Sequence, residues 1–89
     1  MPEGQRLILK DGTRLENGRA GYADGSLWCY IPGYTMQQAA SLFFDASKTD
    51  QITFQYGEMA DVYNGFTNCT NISTDTDGLV SVCMKKGVQ

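Results

Sequence analysis

Residues 26–46 read Ser26-Leu27-Trp28-Cys29-Tyr30-Ile31-Pro32-Gly33-Tyr34-Thr35-Met36-Gln37-Gln38-Ala39-Ala40-Ser41-Leu42-Phe43-Phe44-Asp45-Ala46, and their pattern changes once. The first six residues form an apolar, aromatic-rich run of strand length, which fits a central strand. Pro32-Gly33 ends it, because proline lacks an amide hydrogen and glycine takes turn conformations without steric cost. A helix then begins. Thr35 is placed to cap it, and Gln38 three residues later completes the capping-box pattern. Met36, Ala39, Ala40 and Phe43 recur at i, i+3, i+4 and i+7 and define one apolar face, widened by Leu42. This spacing predicts a helix over about 36–46, ended by the polar stretch Asp45 to Asp50, with the Met36–Phe43 stripe packed on a sheet.

Working outward, the flanks read as strands punctuated by tight turns. Asp11-Gly12, Asn17-Gly18, Asp24-Gly25, Asn64-Gly65 and Asp77-Gly78 are turn dipeptides, since Asn and Asp tolerate positive φ and glycine adopts it freely. Arg6 to Lys10 and Thr13 to Leu15 flank the first and predict a hairpin. The Gly-rich segment Asn17 to Gly25 predicts a turn, a bulge or a short edge strand. After the helix, Ile52, Phe54 and Tyr56 alternate with Thr53 and Gln55, a half-buried strand. Gly57-Glu58 turns the chain into Asp61-Val62-Tyr63, and Phe66 to Ser73 continues in β-favouring residues. Leu79 to Lys85 forms the last strand, and Gly87-Val88-Gln89 is expected to fray. The expected order is β-β-(β)-α-β-β-β in a single domain over 1–89. The fold class is α+β: an antiparallel or mixed sheet of about five to six short strands with one helix on one face, or a curled sheet wrapping it. No internal repeat, linker or low-complexity segment is visible in the sequence.

Composition narrows the function. Eighty-nine residues with 42% hydrophobic and 19% charged side chains suit one modest core. The net charge of −3, with seven Lys and Arg spread along the chain, argues against nucleic-acid binding, which needs clustered cations against phosphates. Met1 to Gln5 lacks the basic start and apolar stretch of a signal peptide. No apolar run approaches the roughly 18–20 residues that span a bilayer. A protein that stays in the cytoplasm where it is made, unless it leaves inside a larger particle, is expected, with no membrane partner. Cys29, Cys69 and Cys83 are widely spaced without a CxxC motif, and read as reduced, buried small hydrophobes. The sequons at Asn68 and Asn71 read as chance in a Thr/Asn-rich segment.

The chain offers little for catalysis. It contains no histidine, which removes the commonest general acid/base and metal ligand along with Ser-His-Asp and Cys-His constellations. Five of its ten acids, Asp11, Asp24, Asp45, Asp75 and Asp77, sit in predicted turns or at the helix end. Asp75-Thr76-Asp77-Gly78 has a fragment of a calcium-loop pattern, but Met84 stands where the loop needs its distal glutamate, so an Asp-Gly turn is the expected reading. Gly18, Gly21 and Gly25 lack the context of a phosphate loop. No catalytic residue, cofactor or metal is expected, and the chain reads as not an enzyme. Trp28, Tyr30, Tyr34, Tyr56 and Tyr63 are the candidate interface residues, because Trp and Tyr bury large areas while keeping a polar tip.

Two stretches carry a family resemblance. They are Met36-x-x-Ala39-x-x-Leu42-Phe43-x-Asp45 with Lys48-Thr49-x-x-Ile52-Thr53-Phe54-x-Tyr56, and Tyr63-x-Gly65-Phe66-Thr67 with Ile72. Together, over about Leu7 to Lys86, the pattern resembles small uncharacterised proteins encoded in prophages of Firmicutes-type bacteria, near tail and late genes. The resemblance implies a phage setting and carries over no site residues. The reading is therefore a non-enzymatic, phage-related structural or accessory protein that binds itself as a homo-oligomer or binds other phage proteins. The alternative is a small regulatory or inhibitory module of a mobile element aimed at a host protein.

Overall fold

Short-range turns dominate the chain, and they make four hairpins. In the computed structural model, which describes residues 4–87, β1 (Gln5–Ile8) pairs with β2 (Arg14–Glu16) and β3 (Arg19–Ala23) with β4 (Ser26–Ile31). After two short helices, α1 (Met36–Phe43) and α2 (Ala46–Thr49), β5 (Gln51–Tyr56) pairs with β6 (Met59–Asn64) and β7 (Asn68–Thr74) with β8 (Val80–Lys85). The hairpins combine into two four-stranded antiparallel sheets, in the orders β2-β1-β5-β6 and β3-β4-β8-β7. Leu7 opposite Phe54 joins the halves of the first sheet, and Trp28 opposite Cys83 those of the second.

This arrangement corrects the expected single sheet of five to six strands with one helix. The α+β class holds in its coarse form, with antiparallel sheet dominant, but there are eight strands in two sheets and two helices. Two local causes account for the difference. The Gly-rich segment takes the edge-strand form among its expected readings, as β3, and so adds a strand; it is closed onto β4 by Asp24-Gly25 with φ of 52° and 81°, a two-residue turn that matches strand twist. The chain also leaves the first sheet at Asn17-Gly18, a corner that places β3 in the second. Glycine suits that corner: a Cβ at Gly18 would lie 3.0 Å from the Leu15 carbonyl oxygen and 3.1 Å from Leu7 Cγ, so a side chain would force these neighbours to shift.

The helix also differs from the expected 36–46. Thr35 and Gln38 do form a reciprocal capping box, at 3.0 and 2.9 Å. However, Asp45 takes an extended conformation, and its carboxylate accepts from the Ser47 amide at 3.0 Å. An aspartate that satisfies the next backbone amides competes with helix continuation, so α1 stops at Phe43 and α2 starts anew.

The order of strands contains a repeat that the residues do not show. Exchanging β1–β4 for β5–β8 reverses the order of each sheet and leaves both unchanged. Both halves supply one core, with Leu7, Leu15 and Ile52 from the first sheet, Leu27, Cys29, Ile31, Val80, Val82 and Met84 from the second, and Ala39 and Phe43 from α1. β4 is a central strand, as its composition predicts. Among the described residues no helix is long and apolar enough to cross a membrane. Of the segment expected to fray, Val88 and Gln89 lie outside the described residues, as do Met1 to Glu3.

Candidate interaction surfaces

A helix eight residues long exposes whatever does not face the core, and α1 carries two apolar stripes. Ala39 and Phe43 point inward and are fully buried. Met36, Ala40 and Phe44 form a second stripe at i, i+4 and i+8, turned toward β7. The expected core face is therefore divided: Met36 is 43% exposed, and Phe44, which caps the helix, is 65% exposed. Between this stripe and β7 lies an open cleft of about 480 Å³, walled by Met36, Ala40 and Phe44 on one side and Cys69 and Ile72 on the other. Gln37, Thr70 and Asn71 complete its lining, so no charged side chain enters it. The sequence signal for this cleft is the Phe43-Phe44 pair. Adjacent residues on a helix point about 100° apart, so one phenylalanine had to leave the core.

The five aromatic interface candidates do not converge. Trp28 and Tyr30 alternate with the buried Leu27, Cys29 and Ile31, so they share the outer face of the second sheet, half-buried. Gly21 stands opposite Trp28 across the strand pair, and the Arg19 guanidinium lies 4.9 Å from the centre of the Tyr30 ring. Tyr34 packs against the core. Tyr56 and Tyr63 belong to the β5–β6 hairpin, where Phe54 and Tyr56 rings sit 4.7 Å apart and Tyr63 meets Phe66 edge-on at 6.3 Å. The Tyr56 hydroxyl bonds the Asp61 carboxylate at 3.1 Å, and this bond holds the phenol above its ordinary pKa. Partial burial does the same for Tyr63.

Several titratable groups have structural partners. Asp45 accepts from Ser47 and Lys48, which holds its carboxyl below the usual range. Asp11 is held low by the Thr13 amide at 3.0 Å. Lys48 sits between these two acids at 3.2 and 3.6 Å, and the Asp45 contact raises its pKa. Asp75 spans its turn by accepting from the amides of Asp77 and Leu79, both at 2.9 Å, a local conformational role. Among the described residues no three His, Cys, Asp or Glu side chains are grouped to hold a metal ion. Burial drives the Cys29 thiol up to about 12. Cys69, half-exposed beside the cleft, is raised by the same cause. A second cleft of about 260 Å³, bounded by Gln5, Asn17, Arg19, Tyr30, Pro32 and Leu79, contains no acid. Comparison of the chain with protein-family models, curated proteins and solved structures finds no match.

Proposed function

We propose that this chain is a non-enzymatic structural or accessory protein of a phage-derived element, working through protein–protein contacts and associating with itself. The observation that carries the reading is the placement of exposed apolar side chains. Met36 and Phe44 flank a cleft with apolar residues on both walls, and exposed apolar side chains gathered at one place on a small domain favour a protein partner. Both clefts lack carboxylates in their walls, so neither offers the paired acids that catalysis without histidine would use. The phage setting rests on the sequence resemblance, and with it the expectation of a place in the host cytoplasm or in a phage particle.

The test is light scattering coupled to size-exclusion chromatography on the reduced protein across the micromolar range. A concentration-stable dimer or closed ring is the expected result, closed symmetry being the rule for small self-associating subunits. A monomer at every concentration would remove self-association. It would leave a module directed at a host protein, with its acidic net charge of −3 set against a basic partner surface.

A further inference from the structure

We propose that the self-association surface is the open edge of β7 with the α1 cleft beside it, and that its occupant is the same edge of a second copy. The inference rests on the self-associating reading above and names its site. The two sheets end in β2, β6, β3 and β7. An edge strand offers unpaired backbone donors and acceptors to any other strand, and charged side chains are a common protection. β2 carries Arg14 and Glu16, β3 carries Arg19, and β6 carries Asp61. β7, the longest strand at seven residues, carries none: Asn68-Cys69-Thr70-Asn71-Ile72-Ser73-Thr74. In a chain of net charge −3, two copies repel, and contact through the uncharged edge keeps like charges apart.

The same edge is compatible with itself under a two-fold axis. A bulge between Cys69 and Asn71 interrupts the regular ladder with β8, which leaves Asn71 to Thr74 as the straight part available for pairing. Residues directly opposite in an antiparallel pair must point to the same face. Ile72 faces the core side, packed against the buried cluster, and Ser73 faces the other side. The axis therefore passes through Ile72 or Ser73 and cannot lie between them. It is normal to the sheet, so β7 and its copy continue one eight-stranded sheet and both α1 helices stand on the same side. The symmetry runs those helices antiparallel. Phe44 of one copy then lies toward Met36 of the other, across the two small Ala40 side chains, and the apolar stripes cover each other.

Cysteine crosslinking at the edge tests the arrangement. Opposed residues in an antiparallel pair have Cα atoms about 4.5–5.5 Å apart, within disulfide reach. Under mild oxidation Ser73→Cys or Ile72→Cys, whichever lies on the axis, is expected to give a covalent dimer. Ala23→Cys, exposed on the opposite edge β3, is expected to give none. The native Cys69 serves as an internal control, because an axis at Ile72 places it six residues along the strand from its copy, about 20 Å away. Ser73→Asp sets two like charges at the junction and is expected to raise the dimer dissociation constant roughly fivefold, equivalent to about 1 kcal/mol. A dimer in solution that crosslinks at neither 72 nor 73 would overturn the β7 assignment and leave self-association standing. A monomer at every concentration would overturn both. Equal crosslinking through Ala23→Cys would also sink the assignment.

Discussion

β3 and β7 are the two edges of one sheet and hold equivalent places in the two halves of the chain, yet they meet their surroundings differently. β3 is short, carries Arg19, and is held to β4 by a two-residue turn. β7 is longer, uncharged and bulged, and α1 packs beside it. The difference arises from the connections. Turns between most strands are brief, but residues 32–50 join β4 to β5 and are long enough to hold both helices. Within it α1 packs on β7 and β8 and α2 on β5, so a two-fold pattern of strands acquires an asymmetric surface. Equivalent topology thus gives two edges with the same backbone role and different chemistry.

The comparison can be broken first at Phe43. Its fully buried ring anchors α1 to the sheet, so Phe43→Ala is expected to cost about 3–5 kcal/mol in urea unfolding. Amide exchange is expected to rise on β7 and β8 more than on β3; a uniform rise would deny that the helix protects one side selectively. The opposite side is tested by Gly25→Val. Position 25 holds φ of +81°, where a side chain costs about 1–2 kcal/mol, so the loss is expected to be smaller and concentrated in the β3–β4 hairpin. An unchanged unfolding midpoint would refute that turn geometry.

Thr35→Ala sharpens the comparison further, because it frays α1 without touching the core. About 1 kcal/mol is expected, with rescue by Thr35→Ser, which restores the oxygen that accepts from the Gln38 amide. The smallest effect concerns α2 and serves as a control for both edges. The Asp45 carboxyl is held below its ordinary value of 3.8 by Ser47 and Lys48, so its stabilising contribution is present above that value. It is lost as pH falls through the lower folded-state pKa. Asp45→Asn is therefore expected to lower thermal stability slightly near neutrality and to flatten the acid limb below about pH 4, where the two proteins converge. A steeper acid limb in the variant would show that the Asp45 carboxylate does not stabilise the fold.

Much of the local structure was legible. The capping box at Thr35 and Gln38, the central position of Ser26 to Ile31, the strand at Ile52 to Tyr56 and the Asx-Gly turns follow from side-chain chemistry within a few residues. The candidate surface was less so. Trp28, Tyr30, Tyr34, Tyr56 and Tyr63 stand out by residue type, and the fold distributes them over a sheet face, the core margin and a hairpin. The apolar cleft is made of Met36, Ala40, Phe44, Cys69 and Ile72, which belong to two elements far apart in sequence. Only the surplus phenylalanine at 44 hinted at it.

From the sequence alone follow most of the turns, most of the extended segments apart from β3, and the start of α1, because these depend on φ preferences, hydrogen-bonding side chains and periodicity over a handful of residues. The sequence also set the uncharged composition of β7. The tertiary structure alone decided that the strands divide into two sheets, that β1 meets β5 and β4 meets β8, and that β7 is an edge. Those pairings join residues about fifty positions apart, as in Leu7 with Phe54 and Trp28 with Cys83. They are selected by which combination buries one common core, a property of the folded chain as a whole.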